Sequence, residues 1–184
     1  MNARERVLAV LNRETPDRVP VDMWLVPELV KKFNQRLGVD DELDIYRKLG
    51  VDKIAWLGIP YKGTVLKDPN EQVETNHWGV KFETVKANDD TEYSEVSFRP
   101  LQDMDDPAQL EDYPWPHPDD FDYATAAAEA QKLAQEFVTL GPWISLFEVY
   151  CWMRSLEEAL MDTAAEPEFL HAALDKIAGS QGEM

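Results

Sequence analysis

The sequence is poor in cysteine, histidine and base, and each shortage narrows what the chain can do. Its single cysteine, Cys151, rules out a disulfide within the chain. None of its three histidines stands with cysteine at the spacing of a structural zinc site. Basic residues number 18 against 36 acidic ones, and the resulting net charge of −18 disfavours attraction to nucleic acid or to an anionic membrane. Long apolar runs are also missing: the longest, Gly141 to Met153, is interrupted by Glu148 and is too short to span a bilayer. Charges at Arg4, Glu5 and Arg6 leave no room for a signal peptide at the N-terminus. The acidic run Asp103 to Asp106, with Asp119 and Asp120, lacks the glycine and regular spacing of a calcium loop and reads as a solvated face. These exclusions point to a cytoplasmic protein with no metal site of its own, whose partners are small molecules or proteins.

What is present is enough for a core, since 44% of the residues are hydrophobic and 10% aromatic. The whole of residues 1–184 reads as one domain. Asn2 to Arg13 carries Val7, Leu8, Val10 and Leu11 on one helical side, and Thr15-Pro16-Asp17 stops it. Arg18 to Leu25 is a short apolar run expected to form a first buried strand. Helices are predicted over Pro27 to Leu37, ended by Gly38, and over Asp41 to Leu49, ended by Gly50. Val51 to Ile59 is the second expected core strand.

Between residues 64 and 101 the pattern switches to alternation, in Val80-Lys-Phe-Glu-Thr84 and Tyr93-Ser-Glu-Val-Ser-Phe98, with a turn at Ala87 to Asp90. This predicts an inserted antiparallel β-hairpin. The proline-rich, acidic stretch 103–120 is expected to be an extended surface connection carrying no core. A helix over Tyr123 to Val138, a third buried strand over Pro142 to Phe147, and helices over Tyr150 to Met161 and Pro167 to Ile177 complete the chain. That rhythm is the one of a parallel α/β fold.

Three stretches carry a family resemblance. The opening Arg4 to Val21, with Pro16-Asp17-Arg18-Val19-Pro20-Val21 after a helix, resembles the first helix and strand of the uroporphyrinogen decarboxylase family. Pro142 to Asp162 looks like that family's third strand and following helix. His77 to Phe82, Pro100 to Gln102 and Tyr113 to Pro116 are similar to the hairpin insertion of its divergent branch, which includes corrinoid-dependent methyltransferases. The resemblance spans nearly all of the chain but only about the first half of a family member. It implies an α/β fold, an incomplete (β/α)8 TIM barrel of about three parallel strands plus the inserted hairpin, with ligands at the C-terminal ends of the strands. A chain holding so few strands is expected to be inactive alone.

The resemblance also implies a tetrapyrrole or corrinoid-linked substrate. Family decarboxylases hold substrate carboxylates with paired arginines after the first strand and face the pyrroles with an aspartate at the second. Here Asp22 to Glu28 contains no arginine and Val51 to Ile59 ends without an acid, which favours methyl transfer involving a corrinoid protein over uroporphyrinogen decarboxylation. Zinc, where family members use it, is held by later strands.

Among candidate site residues, Trp24 either floors a pocket by stacking on a macrocycle or packs as ordinary core. Tyr61 and Lys62 follow the second strand, where barrel loops bind substrate; a solvated role for Lys62 competes. Tyr150 falls where the family has a pocket tyrosine, and packing is its alternative. Glu148, among Leu146, Phe147 and Val149, is the acid/base candidate, against a simple pairing with Arg154. His77 is a candidate proton carrier or else surface decoration, and Cys151 reads as a structural thiol. A second class of function is a non-catalytic interaction module that completes its sheet as a homodimer.

Overall fold

A computed structural model describes residues 1–65, 73–88 and 91–182. It is mixed α/β, with a two-stranded parallel sheet and a three-stranded antiparallel sheet, and neither closes into a barrel among the described residues. The residues group into two compact units, the first comprising Met1–Ile59 and Tyr123–Trp143, the second Pro60–Asp122 and Ile144–Met184. No described helix is long and apolar enough to cross a membrane.

In the first unit, α1 (Ala3–Leu11) opens on a capping box in which Asn2 and Glu5 satisfy each other's backbone N–H groups. Helix α2 (Pro27–Leu37) starts on proline, and α2 and α3 (Glu42–Leu49) end at Gly38 and Gly50, both left-handed. Strand β1 (Ile54–Trp56) pairs in parallel with β5 (Val138–Leu140), with Ala55 opposite Thr139 and Trp56 opposite Leu140. One face of this sheet is covered. Ala55 packs with Leu133 of α4 (Tyr123–Leu133) and with Phe137, and Ala3, Leu43 and Leu57 adjoin them. The opposite face carries Ile54, Trp56, Val138 and Leu140, of which Trp56 and Leu140 stay more than a third exposed.

Two expectations for this unit are corrected. Arg18 to Leu25 is extended but forms neither a ladder nor a buried strand, with Val19 at 79% exposure. One backbone bond joins the two segments, from the Asp52 N–H to the Val21 carbonyl, but carboxylates take the neighbouring donors: the Val21 N–H goes to Asp52 and the Ile54 N–H to Asp22, while Pro20 has no N–H to give. The third strand lies at Val138–Leu140 rather than Pro142 to Phe147, and the preceding helix stops at Leu133. Gly141-Pro142 cannot extend the ladder, so the β-branched pair Val138-Thr139 before it supplies the strand.

The second unit holds the antiparallel sheet, in the order β2 (Glu74–Thr75), β3 (Lys81–Asn88) and β4 (Thr91–Phe98). The alternation in the sequence matches the β3–β4 pairing, while Asp89 and Asp90 of the anticipated turn lie outside the described residues. Helices α5 (Leu146–Arg154), α6 (Leu156–Asp162) and α7 (Pro167–Gly182) pack together. The single helix expected over Tyr150 to Met161 is two: Ser155, at φ 123°, breaks it and caps α6 by accepting from the Glu158 N–H. Residues 103–120 are not coreless, because Leu110 is fully buried in the cluster of Leu101, Tyr150, Met153, Phe169 and Ile177. A short 3-10 turn, Pro107–Leu110, delivers it there.

Candidate functional site

Parallel α/β sheets place ligands beyond the C-terminal ends of their strands, because there the loops diverge and leave a crevice. At that edge of the first unit stand three tryptophans. Trp56 is the last residue of β1, Trp143 follows β5 after Gly141-Pro142, and Trp24 ends the extended segment held beside β1. The Trp24 and Trp56 ring centroids lie 5.9 Å apart and those of Trp56 and Trp143 5.4 Å apart. Their exposures are 67%, 37% and 61% in chain order, so Trp24 is surface rather than core.

The sequence builds this arrangement through charge. Asp52, 1% exposed, accepts from Arg6, from both terminal nitrogens of Arg18 and from the Val21 N–H, pinning the segment before Trp24. Burial pushes the Asp52 carboxyl up, but the Val21 N–H and the two guanidiniums outweigh it and hold the group below its ordinary range. The Lys53 ammonium donates to the Met23 carbonyl at 3.0 Å, pairs with Asp22 at 3.3 Å, and sits 4.6 Å from the Trp24 ring centre. A cavity of about 380 Å³ opens here, lined by Trp24, Trp56, Lys53, Asp41, Glu42 and Tyr46 among others.

The other candidates belong to the second unit. Tyr61 and His77 are brought together, ring centroids 5.3 Å apart, with Phe121 against both. The Tyr61 hydroxyl reaches Asp120 at 3.5 Å, and Lys62, whose N–H donates to the Asp120 carbonyl, leaves its side chain exposed. Burial lowers the His77 pKa, so the ring is less protonated than a free histidine at the same pH. Stability carried by neutral His77 is therefore complete above about pH 6.5 and declines as the pH falls below that. We expect its ring-proton NMR signal to titrate with a midpoint below 6.5; a midpoint at or above that value would contradict the burial.

Tyr150 is fully buried, and its hydroxyl donates to Asp162. Arg154 pairs with Asp162. Glu148 is half-buried in a groove of about 480 Å³ with Arg99, Ser145, Phe147, Cys151 and Trp152. Burial and the Glu148 charge raise the Cys151 pKa, which keeps the thiol protonated and poorly nucleophilic. Among the described residues no group of three or more His, Cys, Asp or Glu side chains is arranged to hold a metal.

Trp56 and Trp143 were missed as site residues. A period-two reading that put Ile54 and Trp56 on one face, with the strand end at Leu140, would have found them. No family model, curated protein or solved structure matches the chain.

Proposed function

We propose that the chain is the opening sector of a uroporphyrinogen-decarboxylase-like (β/α)8 barrel enzyme that takes part in methyl transfer involving a corrinoid protein. The observation that carries this reading is the parallel β1–β5 pair with three exposed tryptophans at its C-terminal edge, where such barrels bind their ligands. The partly exposed face of Ile54, Trp56, Val138 and Leu140 agrees with it, since parallel sheets are covered on both faces. The first strand of the resemblance corresponds to a pinned extended segment rather than a ladder strand.

Charge favours methyl transfer over decarboxylation. A uroporphyrinogen is a polycarboxylate, whereas the tryptophan-lined cavity offers one cation, Lys53, already matched by Asp22, beside the acids Asp41 and Glu42. A corrin bearing neutral amides meets no such repulsion. The implied zinc has no ligand set among the described residues. Tyr61 and Lys62 remain proposed substrate contacts, His77 a proposed proton carrier beside Tyr61, and Glu148, half-buried in its groove, a proposed acid/base.

Equilibrium dialysis tests this reading: the chain should retain methylcobalamin and not uroporphyrin III. Replacing Trp24 with leucine should weaken retention about fivefold, the scale of one lost aromatic contact. Retention of uroporphyrin alone, or of neither compound, would overturn it.

A further inference from the structure

The groove that holds Glu148 is walled by Val96 of β4, Phe147 and Trp152 of α5 and Leu156 of α6, and its volume is about 480 Å³. A cavity of that size, with apolar walls and a few polar groups, is the ordinary form of a small-molecule site. Its cation, Arg99, pairs with no acid among the described residues. Nη1 donates to the Cys151 and Trp152 carbonyls at 3.4 and 3.1 Å, which fixes the guanidinium and leaves Nε and Nη2 without an acceptor among the described residues. Its anion, Glu148, stands on the same side of α5 about one turn, or roughly 5 Å, before those carbonyls. Cys151 lines the groove too, and besides its burial the thiol feels both charges, Glu148 raising its pKa and Arg99 lowering it. A ligand carrying only a carboxylate would meet repulsion from Glu148, and one carrying only an ammonium would meet it from Arg99. A molecule with both charges on one carbon can pair with each.

We propose that this groove binds an α-amino acid with an apolar side chain, its carboxylate held by Arg99, its ammonium by Glu148, and its side chain set among Val96, Phe147, Trp152 and Leu156. The binding stands on the groove alone, and every residue in it belongs to the second unit, apart from the tryptophan-lined cavity on which the corrin reading rests.

Calorimetric titration of the chain with L-phenylalanine, with 3-phenylpropionate, which lacks the ammonium, and with 2-phenylethylamine, which lacks the carboxylate, tests the site. Phenylalanine should bind about tenfold more tightly than either, since each missing charge removes one charge-assisted contact. Arg99→Met should abolish the advantage over phenylethylamine and keep that over phenylpropionate, and Glu148→Gln should do the reverse. A merely structural role for Arg99 would instead weaken all three ligands alike. Glu148→Gln breaks none of the bonds from Arg99 to α5 and carries the test if Arg99→Met loosens the helix. Equal binding of the three compounds would mark a plain apolar surface and overturn the proposal, as would no binding of phenylalanine or a Glu148→Gln variant with unchanged preferences. Methylcobalamin retained without phenylalanine binding would remove the amino-acid site and leave the methyl-transfer reading; the converse would do the opposite.

Discussion

Replacing Asp162 with alanine is expected to lower the thermal midpoint of the second unit by about 10 °C. Asp162 is 2% exposed, accepts from Arg154 Nε at 2.9 Å and Nη2 at 3.2 Å, and also accepts from the Tyr150 hydroxyl. Arg154, 5% exposed, is held in place by donating to the carbonyls of Leu101 and Met104, so it cannot swing out to water when its partner goes. The variant leaves a guanidinium buried without its counter-ion and a tyrosine hydroxyl without its acceptor. Breaking such a pair costs about 3–5 kcal/mol, and in a chain of this size each kcal/mol shifts the midpoint by about 2–4 °C. Asp162→Asn, which keeps an acceptor for Tyr150, should cost less. A circular-dichroism melt of the alanine variant within about 2 °C of the parent would show that the network is not holding α5 and α6 together.

The second large effect belongs to Asp52→Ala, which should destabilise the first unit by about 3 kcal/mol and release the segment carrying Trp24. Arg6 keeps Asp17 as a partner and Arg18 keeps the Val19 and Gly50 carbonyls, but Arg18 loses its carboxylate and the Val21 N–H its acceptor. The pH dependence follows from the sign of the shift. The folded carboxyl is held below its unfolded value, so its contribution is present above about pH 4 and disappears as the pH falls through the lower, folded value. The gap in urea midpoint between the parent and Asp52→Asn should therefore be full at neutral pH and shrink in strong acid. A gap that stays constant from neutral pH into strong acid would mean that the carboxylate charge contributes nothing. Because the same bonds position Trp24, the variant should also retain methylcobalamin more weakly, which links folding to the site.

Much of the scaffold was legible in the sequence, and the failures have local causes. Gly38, Gly50 and Pro27 mark helix boundaries because only special backbone conformations fit there, and the alternation in Lys81 to Phe98 announces the hairpin. The apolar run Pro142 to Phe147 misled because hydrophobicity alone cannot tell a strand from a loop feeding a helix; the Gly141-Pro142 break should have decided it. Arg18 to Leu25 has the composition of a strand but loses its ladder to Asp22 and Asp52, a tertiary event no window average reports. Leu110 enters the core from a stretch whose acids and prolines hide a single deep anchor. At the candidate site, Trp24 was visible, but its companions were not: Trp56 and Trp143 are far apart in the chain and meet only because β1 and β5 run side by side in parallel.

That parallel pairing carries both the barrel reading and the tryptophan site, and a long-range HNCO spectrum measures it through hydrogen bonds. The Leu57 N–H donates to the Leu140 carbonyl at 3.0 Å, one step beyond the Trp56–Leu140 pair. A through-bond coupling between the Leu57 nitrogen and the Leu140 carbonyl carbon is the predicted result. Couplings that instead join the start of one strand to the end of the other would mean antiparallel strands and would contradict the account.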